Sequence, residues 1–518
     1  MAIQVKIQQI RTDKYKIDDL QRYYVDTTQI KQQVQIGEAR QVDVDRLKIP
    51  YWVKNRIKDG WEKDSIFKSR SECDLSVMCD MIKYKIDDDT IYSIFVDPRY
   101  KISAKALEKG KNAAKYITHT IGKAKQLREE QKTEWERKIE KFSDFNEVIN
   151  VYKKWLHIED EDYIKVLHAS LISHRFDDKP LWLLLVAPPS GTKTVVLQPL
   201  SVLKDIYNIN FISEITAKTF VSGDKKYKGL LDEMQNGVLL FKDFTTVLQL
   251  DANTRSEILQ QLREIWDGNY VKVWGTGKRV EWNGKITFLA GTTEFYEAFR
   301  QIDQTLGERY LLYKPFIENR NQMTKKAFSQ IGKERTMSSE IQEAILRYHQ
   351  KIEIPKNLDT INIPDNIMNK LCYLTDYITR ARSSVKRNYR AEIEYVPQPE
   401  APTRLAKQLI CLGKALTIIN KNPEITEEEY RIMAKTGVMT IAGDRYKIIK
   451  YLYDNKDGSP VSTSLLSELT KMPRTSLMRV MENLVSFDIA DQSEYKEGQM
   501  YFWTLTENII KLIEGAEI

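Results

Sequence analysis

Short apolar runs and longer stretches of helical period alternate most regularly in the middle of this chain. Between 181 and 316 the runs LWLLLVA, NFISEI, GVLLFKDF, KITFLAG and RYLLYKPF are separated by helix-like segments. That alternation predicts an α/β layer with a largely parallel sheet. LWLLLVA and GVLLF are apolar along their whole length, as strands covered on both faces must be. From about residue 64 the period is helical, with Leu75, Val77, Met78, Met81 and Ile82 on one face, and Asp87 to Thr90 offer a cap before IYSIFV. A charged, helix-rich segment runs on to Phe142, and a further helical stretch, Phe145 to His174, leads into the sheet. The first fifty residues alternate with few breakers and predict a strand-rich or extended arm.

Beyond the sheet, Asn321 to about Met433 is helical again, broken at PKNLDTINIPDN and EYVPQPEAP, and the chain from Gly443 reads as three helices and a hairpin around Glu497-Gly498. The divisions implied are 1–63, 64–145, 146–320, 321–433 and 434–518. Inside the α/β region VKVWG and KRVEW flank Thr276-Gly277, a hairpin signal. Val271, Val273, Val280 and Trp282 are expected to form its packed face. Lys272, Lys278 and Arg279 are then the exposed basic residues.

Composition changes this picture little. A chain of 518 residues has room for roughly three or four domains. Its longest apolar runs fall far short of the roughly 20 residues of a membrane span, and the start, MAIQVK, turns polar at once, unlike a signal peptide. Cys73, Cys79, Cys372 and Cys411 show no metal or redox spacing and are expected to be buried thiols of a reducing compartment, the cytoplasm. Eighty basic residues against 73 acidic ones give a net charge of +7, a pointer to a polyanionic partner. Local excesses lie at 101–125, 272–279 and 380–390.

The candidate chemistry sits where the first apolar run ends. Pro188, Pro189, Ser190, Gly191, Thr192, Lys193 and Thr194 follow LWLLLVA and precede an apolar helix. A nucleotide triphosphate needs a tight loop of amides, a lysine on the terminal phosphates and a hydroxyl on the magnesium ion. Ser190 to Thr192 supply amides, Lys193 the ammonium and Thr194 the hydroxyl. Downstream, GVLLFKDF ends in Asp243, where a magnesium-positioning carboxylate is expected. Phe244 follows it, so a water-activating carboxylate must come from elsewhere. Glu214, after a strand expected to run beside the loop strand, and Glu308 are the candidates.

Over about Leu181 to Leu416 the chain resembles the AAA+ ATPases, in the branch of MCM-type replicative helicases and enhancer-binding activators, including ATPases of phages and mobile elements. APPSGTKT is similar to a Walker A motif with two glycines replaced, and GVLLFKDF to a Walker B motif without its glutamate. The resemblance implies ATP and Mg2+ as cofactors and a polar sensor at Thr292 or Thr293. It implies an arginine finger at Arg309 in LGERYLLYKPF, and a sensor arginine at Arg404 on a helical lid. In that branch the inserted hairpin, here with Lys272, Lys278 and Arg279, points into the pore of a ring and tracks a DNA strand.

The C-terminal segment resembles a winged helix, with Pro473 in the first turn of a recognition helix, Arg474, Thr475 and Arg479 exposed on it, and Lys496 on the wing. Ser69 to Gly110 resembles the helical module that accompanies primases. The implied function is an ATP-dependent, ring-forming DNA helicase, a hexamer by family expectation, that threads single-stranded DNA and works beside a primase or polymerase. The rival readings are an AAA+ remodeller that binds an origin or promoter without unwinding, and a nucleotide-dependent scaffold that recruits a primase.

Overall fold

Two polar residues start helices in the N-terminal part of the chain. Ser69 Oγ accepts the Glu72 amide at 3.3 Å and opens the Arg70–Lys83 helix, and Asp87 accepts the Thr90 amide at 2.8 Å and opens Asp88–Val96. In the computed structural model the described residues are 39–47, 49–61, 67, 69–131, 144–189, 193–221, 229–274, 277, 279–296, 309–316, 318–355, 358–495 and 500–518, in two compact units, 1–132 and 133–518. The first unit closes a small core of Val77, Met78, Met81, Ile91, Ile94, Phe95, Ile117 and Ile121.

Val42, Val44, Val53 and Ile57 belong to that same core. Tyr100 Oη fixes their segment by donating to the Val42 carbonyl at 2.8 Å and accepting the Val44 amide at 3.2 Å. The division drawn at 63/64 therefore cuts one core. Residues Tyr51–Asp59 are helical rather than an extended arm, because Val53 and Ile57 lie one turn apart on the buried face. The rest of the expected arm, 1–38, lies outside the described residues.

The second unit is built on five parallel strands: β1 Trp182–Val186, β2 Ile209–Ile212, β3 Asn236–Phe241, then, after the hairpin strands β4 Asn269–Val273 and β5 Arg279–Asn283, β6 Lys285–Thr292 and β7 Tyr310–Tyr313. Their order is β2-β3-β6-β1-β7. Alternate side chains feed two cores. Leu183, Leu185, Leu240 and Leu289 join Val196, Leu197, Leu200 and Leu203 from the segment that leaves β1. Trp182, Leu184, Leu239, Phe241 and Phe288 join Ile258, Leu259, Leu262 and Ile265 of the Ala252–Asp267 helix, which follows β3. Successive connections thus cover opposite faces, and the ligand crevice of such a sheet opens at the carboxyl ends of the strands where they diverge.

The helices Glu334–Lys351, Asp365–Arg382, Thr403–Asn420 and Glu427–Val438 join the first of these cores. Asp162 binds the last of these by two 2.7 Å bonds from Arg431 and one of 3.1 Å from Lys435. The strands β10 Val461–Ser462, β11 Ala490–Tyr495 and β12 Met500–Leu505 form an antiparallel sheet beside the helices Gly443–Asp454, Thr463–Thr470 and Arg474–Ser486. The final helix, Glu507–Ala516, returns to Asp365–Arg382, and Tyr430 Oη donates to the Ala516 carbonyl. One apolar core therefore runs across the divisions at 320/321 and 433/434.

Cys73 and Cys411 are buried and Cys79 partly so, but Cys372 is exposed on the Asp365–Arg382 helix, against expectation. Among the described residues no helix is long and apolar enough to cross a membrane.

Candidate functional site

Three strand ends converge at the carboxyl edge of the sheet. Val186 is level with Thr292, and the Ala187 amide donates to the Thr292 carbonyl at 3.1 Å, so the segment leaving β1 starts beside the end of β6. The Phe244 amide donates to the Gly291 carbonyl at 2.7 Å and brings Asp243, just past β3, to the other side of β6. Lys193 opens the helix Lys193–Leu197 and is buried, its Nζ donating to the Ala187 carbonyl at 2.5 Å and the Pro188 carbonyl at 2.9 Å. Burial pushes the Lys193 ammonium below its ordinary pKa, and the Asp243 carboxylate opposes that shift. Gly291 leaves room for this arrangement, since a Cβ there would lie 2.9 Å from the Lys242 carbonyl and 3.4 Å from the Lys193 side chain. Pro188 and Pro189 are exposed and Thr194 is half-buried; Ser190, Gly191 and Thr192 lie outside the described residues.

Thr245 joins these parts, and sequence reasoning missed it. Its amide donates to Asp243 Oδ1 at 3.0 Å, and its Oγ1 accepts the Thr293 amide at 3.0 Å. The same hydroxyl lies 3.4 Å from Thr292 Oγ1 and 3.2 Å from Thr293 Oγ1. The signal was present as two threonines directly after KDF. Thr245→Val keeps the shape but leaves the Thr293 amide without its acceptor, a loss of roughly 1–3 kcal/mol in urea unfolding. Thr245→Ser should restore the parent value.

Phe244 offers no carboxylate, as expected, and one expectation about its substitutes changes. Phe244 is fully buried, 5.8 Å from the Phe241 ring and 5.5 Å from Phe288, so its position faces the core rather than the crevice. Glu214 is exposed beyond β2, and β2 is the edge strand beside β3, not the neighbour of β1. It therefore lies on the Asp243 side of the crevice. Glu308 is outside the described residues.

Arg309 and Arg404 are at the opposite end of the sheet. Arg309 directly precedes Tyr310, which is level with Trp182 at the start of β1. By strand rise Arg309, one residue before the start of β7, lies on the order of 15 Å along the sheet from the level of Val186 and Thr292. There Arg309 lies 5.4 Å and Arg404 5.7 Å over the Trp266 ring, and Arg309 pairs with Asp267 at 3.3 Å. Gln408 Nε2 donates to the Arg309 carbonyl at 2.7 Å. Burial pushes the Arg309 guanidinium below its ordinary pKa, Asp267 opposes this, and Arg404 adds to it. Arg404 thus does not meet the Lys193 site of its own chain, and Arg309 is held inward at 5% exposure. Trp266, which gathers the two arginines, was not anticipated.

The hairpin forms as expected, and Val280 and Trp282 pack on the core as expected, but Val271 and Val273 lie on its other face. Tyr270 pairs with Trp282, and both are buried at 5%. Val271 and Val273 point outward at 49% and 63% exposure, opposite Glu281 and Arg279. The reason is register: Tyr270, Lys272 and Trp274 share a side that holds the wider rings. Lys272 is accordingly turned toward the Ala252–Asp267 helix, 3.2 Å from Glu257, while Arg279 is exposed and paired with Glu281. Lys278 lies outside the described residues. At the base of the ribbon the Gly284 amide donates to the Gly268 carbonyl at 3.1 Å, and a Cβ on Gly284 would strike the Gln235 carbonyl and the Trp282 ring. Gly284→Ala should cost roughly 1–3 kcal/mol in urea unfolding.

In the C-terminal segment Pro473 is the N-cap of the Arg474–Ser486 helix rather than part of its first turn. Arg474, Thr475 and Arg479 are exposed on that helix, and Lys496 lies outside the described residues. Compared with protein-family models and with curated proteins, the sequence matches none.

Proposed function

We propose that this protein is an AAA+ ATPase that assembles as a ring and drives DNA unwinding, with each ATP site divided between two subunits. The observation that carries this reading is the position of the two halves at opposite edges of one sheet. Lys193, Asp243 and Thr292 lie at the carboxyl edge, and Arg309 and Arg404 at the amino edge. A head-to-tail contact between copies would bring one edge to the other, and repetition of that contact closes a ring.

The residues present fit Mg-ATP. Lys193 rests on two neutral carbonyls, and exchanging them for a phosphate oxygen gives a charge-assisted bond. Asp243 and Thr194 offer the oxygen donors a hard cation takes. Bound magnesium would supply charge neutralisation on the phosphates. Thr245 fixes Asp243 against Thr292 and Thr293, so a change at the phosphates is passed to β6, whose amino end joins the hairpin at Gly284. Glu214 is proposed to orient the attacking water from the Asp243 side. Arg309, once turned out of its pocket, would stabilise charge on the phosphoryl group held by the neighbouring subunit. Arg279 and the outward face of the hairpin would meet the strand, the helices 321–433 would act as the lid, and 443–516 as a winged helix.

The test is ATP turnover at fixed magnesium across a protein concentration series, with and without single-stranded DNA, followed by unwinding of a forked duplex. Turnover that rises with both protein and DNA, and strand separation on the fork, are expected. Turnover that DNA and concentration leave unchanged would favour the scaffold reading, and DNA-stimulated turnover without strand separation the remodeller.

A further inference from the structure

A second ribbon interrupts the helical region. β8 Lys386–Arg387 and β9 Ile393–Tyr395 pair antiparallel. Their turn is held by Asn388, whose Oδ1 accepts the Arg390 amide at 2.9 Å and the Glu392 amide at 3.0 Å. At its tip Tyr389 is 88% exposed. Arg390 stacks 5.3 Å over that ring and donates its Nε to Tyr389 Oη at 2.8 Å. An aromatic ring this exposed keeps nearly all of its contact with water and gains almost no packing in the folded chain. Its rigid presentation beside a guanidinium suits a planar, anionic partner.

The ribbon is fastened to the Arg474–Ser486 helix. Arg387 donates to the Arg479 carbonyl at 3.0 Å and to Asn483 Oδ1 at 3.2 Å, and pairs with Glu482 at 2.8 Å. The carboxylates of the ribbon are engaged within it, Glu394 with Lys386 at 3.5 Å and Glu392 Oε2 accepting from Asn388 Nδ2 at 2.8 Å. Among the described residues no carboxylate pairs with Arg390, Arg474 or Arg479. The surface therefore combines one exposed aromatic platform with two guanidiniums, Arg390 and Arg479, that pair with no carboxylate among the described residues.

We propose that this surface binds single-stranded nucleic acid, with an unpaired base stacked on Tyr389 and the neighbouring phosphates held by Arg390 and Arg479. A stacked base must be out of its duplex, so the surface prefers unpaired strand. The proposal shares with the ATPase reading only the assumption of a nucleic-acid partner.

The experiment is fluorescence anisotropy of the full chain, without nucleotide, on labelled oligodeoxythymidylate and on a hairpin duplex of matched length. Tyr389→Ala should weaken binding to the unpaired strand about tenfold and leave duplex binding nearly unchanged. Tyr389→Phe keeps the ring and should bind like the parent. Arg479→Ala should weaken both and flatten their salt dependence. Melting curves verify that each variant is folded. If the parent binds strand but Tyr389→Ala binds it within about twofold of the parent, the ribbon proposal falls while the nucleic-acid reading stands. An altered oligomeric state in that variant would then assign the ribbon to a protein contact. If the parent binds neither probe, both proposals fall.

Discussion

Lys193→Ala is expected to lower ATP turnover at least about a hundredfold, the scale on which one preorganised charge stabilises a reacting group. The Lys193 ammonium is buried at the carboxyl edge of the sheet, where the Asp243 carboxylate acts on it. Alanine removes both the charge and the two bonds to Ala187 and Pro188. Water can replace the lysine at the exposed Pro188, but Ala187 is buried, so unfolding stability should also fall, by roughly 1–3 kcal/mol. Binding of a fluorescent ATP analogue should weaken along with turnover. Parent-like turnover in a folded Lys193→Ala variant would remove the loop from the chemistry and leave the carboxyl-edge cluster as a structural feature.

Arg309→Ala should have an effect of similar or greater size by a different route. A finger arginine is worth roughly 10³ to 10⁵ in rate in other phosphoryl-transfer enzymes. In this chain its guanidinium is paired with Asp267 and stacked on Trp266, remote from its own Lys193. The variant is therefore expected to bind the ATP analogue like the parent and to fail in turnover. Arg309→Lys should remain slow, because a point charge does not reproduce the planar fork. Loss of analogue binding in Arg309→Ala would instead mean that the arginine supports the fold of its own subunit.

Much of the architecture was legible because buried parallel strands announce themselves. LWLLLV and GVLLF are apolar throughout, and in the structure Trp182 to Val186 and Gly237 to Phe241 are buried without a break. Capping was equally local: Asp87, offered as a cap by the sequence, starts the Asp88–Val96 helix by accepting the Thr90 amide. The hairpin was legible as a ribbon but not as a pair of faces. Apolar residues occur on both sides of it, and period two cannot say whether Val271 or Tyr270 turns inward.

What the sequence could not supply was long-range order. Glu214 was placed beside the wrong strand because neighbours in a parallel sheet are set by crossovers, not by proximity in the chain. The meeting of Arg309 and Arg404 on Trp266 joins segments far apart in sequence. Thr245 drew no attention because its hydroxyl acts through Thr293, which chain folding alone brings close. At Tyr51–Asp59 the helix is fixed by packing on a core made downstream, so a segment read alone looked extended.

The central claim is that a working site takes Lys193 from one subunit and Arg309 from the next. Mixing separately purified Lys193→Ala and Arg309→Ala proteins, allowing exchange, and assaying ATP turnover tests it most directly. Some boundaries in a mixed assembly join an intact Lys193 to an intact Arg309. Two inactive proteins together are expected to recover a substantial fraction of parent activity, rising to a maximum near equal proportions. If every mixture is as inactive as its components although exchange is shown by labelled subunits, the two residues serve the same site in one chain, and the divided site is wrong.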